Sequence, residues 1–230
     1  MEKVFITGGS GALGKVLVKH LSKSYDVCSP SSTKCDITNY AQLEKAINDF
    51  NPDTVIHLAA FVDTFGCEQD KSKAIDVNIG GTINLTKILL QTQCRLIYIS
   101  SEYVFKGDKG NYSINDKLDP INVYGKTKAS AEYVISILDS FKILRVPFIK
   151  ELYPSVFTDQ YCSRYFLDEV APLIEFNILN NPNNLIHISP VRKSLYQTYV
   201  DKGYNPKPII TPLKYKKLIP RDTSLINNSI

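Results

Sequence analysis

The chain has 230 residues, of which 43% are hydrophobic and 22% charged, and a net charge of +4 at pH 7. These are globular values, and the length fits one domain or one domain with a small lobe. They exclude a disordered, strongly charged chain. The densest basic cluster, Lys214, Lys216 and Lys217, reads as solvated surface and not as a nucleic-acid footprint. No apolar run approaches the ~20 residues that a membrane span needs, so no membrane partner is expected. Met1, Glu2 and Lys3 lead straight into an apolar run, which is not how a secretory leader begins. Cys28, Cys35, Cys67, Cys94 and Cys162 are odd in number and form no C-x-x-C, which points to reduced thiols in a cytoplasmic protein. His20, His57 and His187 are too scattered for a metal site, and no metal is expected.

Residues 3–7 are a short β-rich apolar run, a buried strand. The sequence Gly8-Gly9-Ser10-Gly11-Ala12-Leu13-Gly14 follows at once, and Leu13, Val16, Leu17, His20 and Leu21 then keep helical spacing. Strand, glycine turn and helix together give a glycine motif its meaning. Gly8 allows the tight turn, Gly11 admits a pyrophosphate to the backbone, and Gly14 lets the helix pack closely. The helix start at Ala12 and Leu13 offers free N–H groups and a positive dipole end to phosphates.

Residues 25–28 read as the second strand. An acidic residue at its end would bind a free ribose 2′-hydroxyl. The chain instead has Ser29, Pro30, Ser31, Ser32, Thr33 and Lys34, which would tolerate a 2′-phosphate, so NADPH is preferred and NADH stays open. Asp36, beside Ile37, is placed to bond an adenine amino group or to cap the helix at 40–50, for which Thr38 or Asn39 is the N-cap. Residues 54–58 form the third strand. Leu58, Ala59 and Ala60 end it with small side chains, across which a cofactor could lie. Residues 61–72 read as a loop with some helical character near its end, and 74–93 as one long helix. Gly80 and Gly81 inside it cost roughly 1 kcal/mol each against alanine, which close approach of another backbone would explain. Asn78 on this helix is counted with the cofactor-binding residues, a brace for the active-site strand being its other reading.

Residues 95–99 form the fourth strand and lead into Ser100 and Ser101. A polar loop at 106–120 separates them from a helix at 122–138 that carries Tyr124 and Lys128. At i and i+4 these two share one helical face. An ammonium beside a phenol lowers its pKa and makes Tyr124 a usable proton donor or acceptor. Ser101 can hold a carbonyl oxygen against that phenol, which suits carbonyl–alcohol redox chemistry beside a hydride carrier. With a fifth strand at 141–146, the order is that of an α/β doubly wound parallel sheet, a Rossmann fold. Residues 1–150 are therefore read as the dinucleotide-binding domain. Residues 151–230 are read as a small substrate-binding lobe with an irregular C-terminal tail. The lobe is expected to hold a helix at 162–179 interrupted near Pro172, a short strand at 185–188 and a helix at 194–201. Pro206, Pro208, Pro212 and Pro220 punctuate the tail.

The glycine turn, the Ala59-Ala60 strand end and Tyr124-x-x-x-Lys128 resemble the extended short-chain dehydrogenases/reductases over the first 145 residues. Within them, Ser100-Ser101-Glu102-Tyr103-Val104-Phe105-Lys106-Gly107 is similar to the Ser-Thr-Asp-Tyr-Val-Phe-Asp-Gly pattern of the dTDP-4-dehydrorhamnose reductase family. Asn122-Val123-Tyr124-Gly125-Lys126-Thr127-Lys128 is similar to its Asn-Val-Tyr-Gly-x-x-Lys. Thr158, Asp159 and Gln160 resemble an Asp-Gln element of its substrate lobe. The resemblance implies reduction of a nucleotide-linked 4-keto-6-deoxyhexose, as in rhamnose biosynthesis. Ser101, Tyr124 and Lys128 would be catalytic, Tyr124 and Lys128 would also contact the cofactor, and Glu102 and Tyr103 would contact the substrate. The expected partner is the nucleotide sugar, with a homodimer left open.

Sugar-nucleotide dehydratases show Thr-Asp-Glu at this strand end. Here Tyr103 stands in place of the base, so a reductase is favoured. Two other readings stay open: a dinucleotide-binding regulatory subunit of the methionine adenosyltransferase β type, and a bifunctional 3,5-epimerase/4-reductase. Three departures stand out. Ser101 and Glu102 replace Thr and Asp. Thr64-Phe65-Gly66-Cys67-Glu68 stands where the family shows Val-Asp-Lys-Ala-Glu. The chain is also short for the group.

Overall fold

The computed structural model describes residues 1–229. The chain opens with β1 (Lys3–Thr7), α1 (Ala12–Leu21), β2 (Asp26–Cys28), α2 (Tyr40–Phe50) and β3 (Thr54–His57). Then come α3 (Thr64–Gln69), α4 (Lys71–Ile75), a π-helical turn (Asp76–Gly80) and α5 (Gly81–Leu89). β4 (Arg95–Ser100) leads through a 3-10 turn (Glu102–Val104) and a long loop to α6 (Val123–Ile135) and β5 (Phe141–Arg145). The central sheet has the order β10-β5-β4-β3-β1-β2, where β10 is Leu185–His187, and every pairing is parallel.

Strand alternation divides the core. Phe5, Val55, Leu96 and Tyr98 face α2, α5 and α6, where Leu43, Leu85 and Ile135 are buried with them. Val4, Ile6, Ile56, Ile97 and Leu144 face the opposite side, with Leu17 of α1 and Ile174 of α7 (Leu167–Asn180). The strand order turns around between β1 and β3, which is where an open α/β sheet binds its ligand. Gly8 follows β1 there with φ +73°, and a Cβ on it would lie 2.6 Å from the Ala59 nitrogen.

Asn39 is the N-cap of α2, accepting from the Gln42 N–H at 3.1 Å. The single helix expected at 74–93 is broken by the π turn, and the loop expected before it contains α3. Gly81 faces a side chain and not the backbone expected, since its Cβ would lie 2.5 Å from Ile37 Cδ1.

The residues after 150 do not all leave the sheet, because β10 pairs with β5 and α7 packs beside α1. The lobe itself is made of short pairs. β6 (Phe148–Ile149) pairs with β9 (Tyr165–Phe166), β8 (Tyr161–Cys162) with β11 (Lys193–Ser194), and β7 (Ser155–Phe157) with β12 (Lys207–Ile209). α8 (Leu195–Asp201) sets Tyr199 into a small core with Ile149, Val156 and Phe166.

The helix expected from 162 therefore starts only at Leu167, because residues 161–162 and 165–166 form β8 and β9 and residues 163–164 join them. It runs through Pro172 unbroken. Pro172 and Asp168 are both exposed, so water can take the carbonyl that the proline leaves unbonded. The tail is ordered as well. Tyr112 N–H donates to Ser224 O at 2.8 Å, Ile226 N–H to Tyr112 O at 2.8 Å, and His187 N–H to Asn228 Oδ1 at 2.6 Å. No described helix is long and apolar enough to cross a membrane. All five cysteines are free, and the described residues hold no metal-ligating cluster.

Candidate active site

A cavity of about 770 Å³ opens at the C-terminal ends of β1, β3, β4 and β5. The glycine turn supplies one wall through Gly8, Gly11, Ala12, Leu13 and Gly14. Gly11 N–H donates to Gly8 O at 3.0 Å and closes the turn. A Cβ at Gly14 would lie 2.3 Å from Gly8 O, so this glycine lets the helix fold onto the turn itself. Gly11 is the N-cap of α1 and has no side chain to cap the first N–H groups. They suit an anionic pyrophosphate.

Asp36, Ile37, Leu58, Ala59 and Ala60 line the neighbouring wall, with Ser32 and Thr33 further along it. Asp36 Oδ1 accepts from the Thr38 N–H and Oγ1–H, both at 2.9 Å, so the capping role is present while the residue stays at the cavity wall. These features fit a dinucleotide: a cradle that any side chain would fill, an open helix start, and the hydroxyls of Ser32 and Thr33 on the same wall as Asp36.

Asn78, expected among the cofactor contacts, does not line the cavity. Its Oδ1 accepts from Phe61 N–H at 2.6 Å, and its Nδ2 donates to Phe61 O at 3.1 Å and to Thr127 Oγ1 at 2.9 Å. With its whole amide used this way, it ties the loop after β3 to α6 and has no group left for a ligand.

The start of α6 is fixed from three sides. Asn122 Oδ1 accepts from Gly125 N–H at 2.7 Å, its Nδ2 donates to Leu218 O at 2.8 Å, and Glu68 Oε1 accepts from Val123 N–H at 2.7 Å. Glu68, from the stretch that departs from the family pattern, thus serves the helix that carries Tyr124. Gly125 lets the helix press against the turn after β4, since its Cβ would lie 2.1 Å from Tyr103 O. Tyr124 and Tyr103 meet edge to face at 6.1 Å.

Burial pushes the Tyr124 phenol above its ordinary range. The Glu102 carboxylate adds to this, and a hydrogen bond with Ser101 works against it. Lys128 does not reverse the shift. Its Nζ donates to the Ile99 carbonyl at 2.7 Å and lies 3.9 Å from the centre of the Tyr98 ring. Burial brings the lysine down to about 7, opposed by Glu132. The lowered phenol expected from Tyr-x-x-x-Lys spacing is therefore absent, because desolvation disfavours both charged forms. Tyr124 is a neutral phenol at neutral pH, a proton donor.

Ser101 Oγ donates to Glu102 Oε2 at 3.0 Å and accepts from Tyr103 N–H at 3.2 Å. Glu102 Oε1 takes Arg164 Nε at 3.0 Å and Nη2 at 2.7 Å. Arg164 lines the cavity, as do Lys150, Tyr153, Leu195 and Tyr199 of the lobe. The sequence reading missed these residues. Its pointer in the lobe was Asp159, which instead binds the tail, accepting from Thr211 N–H and Oγ1–H at 2.9 and 2.8 Å. An arginine between Tyr161, Cys162, Tyr165 and Phe166 is the signal of a buried ionic partner, and assigning this stretch to a helix concealed it.

The model of the RmlD substrate binding domain family matches residues 1–165. The chain belongs to this family. It is 33% identical over 147 residues to the dTDP-4-dehydrorhamnose reductase of Aggregatibacter actinomycetemcomitans, covering 63% of this chain and 50% of that protein. It is 31% identical over 142 residues to methionine adenosyltransferase 2 subunit beta of Rattus norvegicus, covering 58% of this chain and 42% of that one. The chain thus spans about half the length of the curated relatives it matches. Among solved structures, the dTDP-4-dehydrorhamnose reductase of Bacillus anthracis in complex with NADP aligns with a TM-score of 0.87 at 25% identity, over 99% of this chain and 91% of that one. A hypothetical dTDP-4-dehydrorhamnose reductase from Sulfolobus tokodaii aligns with a TM-score of 0.85 at 27% identity, over 98% and 92%. The RmlD family match ends at Arg164 and Tyr165, so most of the lobe lies beyond it.

Proposed function

We propose that the chain is an NADPH-dependent reductase of a nucleotide-linked 4-keto-6-deoxyhexose, with dTDP-4-dehydrorhamnose as the first substrate to try. The observation that carries this reading is that Tyr124, Ser101 and Lys128 line the same cavity as the glycine turn. The turn residues 8–14 would hold the pyrophosphate. Ser32 and Thr33 would accept a 2′-phosphate, and NADH is the weaker alternative. The nicotinamide, when bound, supplies a hydride for C4 of the sugar.

The remaining chemistry belongs to the chain. Tyr124 gives its proton to the oxygen at C4 as that oxygen becomes an alkoxide. Ser101 turns its hydroxyl from Glu102 to the same oxygen and stabilises the developing charge. Lys128, poised near neutrality, can hold or release a proton at Nζ beneath Tyr98. Lys150, at the lobe side of the cavity, is available to the nucleotide's diphosphate. A cytoplasmic location and a homodimer complete the reading. The first agrees with the free thiols, and the second with the exposed Tyr133 on α6 and Ile137 in the turn after it.

The test follows nicotinamide absorbance with NADPH or NADH and a dTDP- or UDP-4-keto-6-deoxyhexose, with and without an added 3,5-epimerase. Oxidation only with the epimerase supports a simple 4-reductase. Oxidation without it supports the bifunctional enzyme. Against that second case, Glu102 is committed to Arg164 and Ser101 and is poorly placed to act as an epimerisation base. Dinucleotide binding with no oxidation would overturn the reductase reading. It would favour the regulatory one, which the likeness to methionine adenosyltransferase 2 subunit beta supports.

A further inference from the structure

Arg164 stands inside the cavity beside the reacting groups and has no part in the mechanism above. It comes from the segment that joins β8 to β9, so the lobe delivers it to the strand end of β4. Its Nε and Nη2 both go to a single oxygen, Glu102 Oε1. The other Glu102 oxygen takes the Ser101 hydroxyl at 3.0 Å. The guanidinium carbon lies 5.8 Å from the centre of the Tyr103 ring, which in turn meets Tyr124. Arg164 is 21% exposed and Glu102 only 6%, so the carboxylate is the buried anchor and the guanidinium is the face shown to the cavity.

A guanidinium carries five N–H donors in a rigid planar fork. Two of them hold Glu102, the Tyr103 hydroxyl is a further partner, and the side chain still lines the cavity wall. The charge of Arg164 is already balanced by a carboxylate 2.7 Å away. A phosphate would have to compete with that carboxylate, whereas an uncharged hydroxyl would not. The clamp also fixes the long side chain before any ligand arrives, which lowers the entropy lost on binding.

We propose that Arg164, held by Glu102, is a specificity-determining residue that binds the hydroxyls of the sugar ring next to Tyr124, and not the nucleotide's phosphates. This rests on the nucleotide-sugar reading above and names the residue that would orient the hexose. Hydrogen bonds from a charged donor are among the stronger ones, so their loss should weaken sugar binding by ~10- to 100-fold.

The experiment compares calorimetric affinities for dTDP and dTDP-rhamnose in the presence of NADP+, for wild type, Arg164→Lys, Arg164→Met and the double variant Glu102→Gln/Arg164→Met. The double variant removes both charges, so no uncompensated buried ion obscures the result. Wild type should bind the sugar nucleotide more tightly than dTDP. All three variants should lose that advantage while keeping their affinity for dTDP and for NADP+. An Arg164→Met or double variant that folds and keeps the wild-type ratio overturns the proposal and leaves the reductase reading intact. Equal loss of dTDP and dTDP-rhamnose binding would make Arg164 a purely structural residue and also overturn it. Wild type that binds neither these nucleotides nor their UDP counterparts overturns both readings.

Discussion

Lys128 donates from Nζ to the Ile99 carbonyl at 2.7 Å, while Tyr124, four residues before it on the same helix, keeps its proton. The lysine is buried and titrates near 7, against 10.5 for a free side chain. Below about 7 the folded and unfolded chains both hold this proton, and the folded state bears the whole cost of burying it. Between about 7 and 10.5 the unfolded chain binds more protons, so this group makes stability rise with pH. The slope reaches about 1.4 kcal/mol per pH unit where only the unfolded state is charged. Urea unfolding of wild type and Lys128→Met at pH 6.5, 8 and 9.5 isolates the effect. The wild-type curve should climb relative to the variant over this range. Parallel curves would mean that Lys128 stays charged in the fold.

Tyr124→Phe removes the phenolic proton and little else. Loss of a positioned general acid lowers turnover by ~10²- to 10⁴-fold. The glycine turn is untouched, so NADPH fluorescence should report unchanged binding. Near-normal turnover in this variant would remove Tyr124 from the mechanism.

The sheet and its site were legible because local signals and tertiary structure agree there. The run before Gly8, the turn itself and the Ala59-Ala60 strand end each carry a short-range signature, and all of them line one cavity. Electrostatics at that cavity were not legible. The spacing of Tyr124 and Lys128 gives their helical face but not their depth, and depth sets the sign of both shifts. Asn78 fails for a similar reason. One continuous helix was expected at 74–93, and the π turn that holds Asn78 and aims its amide at Phe61 and Thr127 has no plain sequence signal. In the lobe, pairs of two or three residues are too short for periodicity to register, and contacts such as Arg164–Glu102 join positions 62 residues apart.

Gly125 tests how tightly Tyr124 is placed. A methyl group there would meet Tyr103 O at 2.1 Å and Pro120 Cβ at 2.9 Å, so the start of α6 has to move. Overpacking of this kind typically costs ~1–3 kcal/mol. A displacement of reacting groups by about 1 Å can cost ~10²-fold in rate. Gly125→Ala should therefore lower kcat well beyond any change in dinucleotide affinity, and should lower Tm by several degrees. Wild-type kcat with wild-type Tm would show that the turn after β4 yields freely.

Behind the site, Glu132 of α6 receives Arg145 Nε at 3.0 Å and Nη2 at 2.6 Å, and both side chains are almost fully buried. Ser100, next to Ser101, donates to the same carboxylate. Arg145 Nη1 lies 3.0 Å from His187 Nε2, and His187 Nδ1 lies 3.2 Å from Ile226 O. Burial, with the charge of Arg145, brings His187 down to about 4. The ring is thus neutral, with Nε2 accepting from the arginine and Nδ1–H donating to the tail. Removing one partner of a buried ion pair costs about 3–5 kcal/mol, because the other is left without compensation. Arg145→Met should cost that much. Replacing both partners, as Arg145→Met with Glu132→Leu, should cost less than Arg145→Met alone. A double-mutant cycle by urea denaturation checks this, and simple additivity of the two substitutions would show that the pair is not coupled.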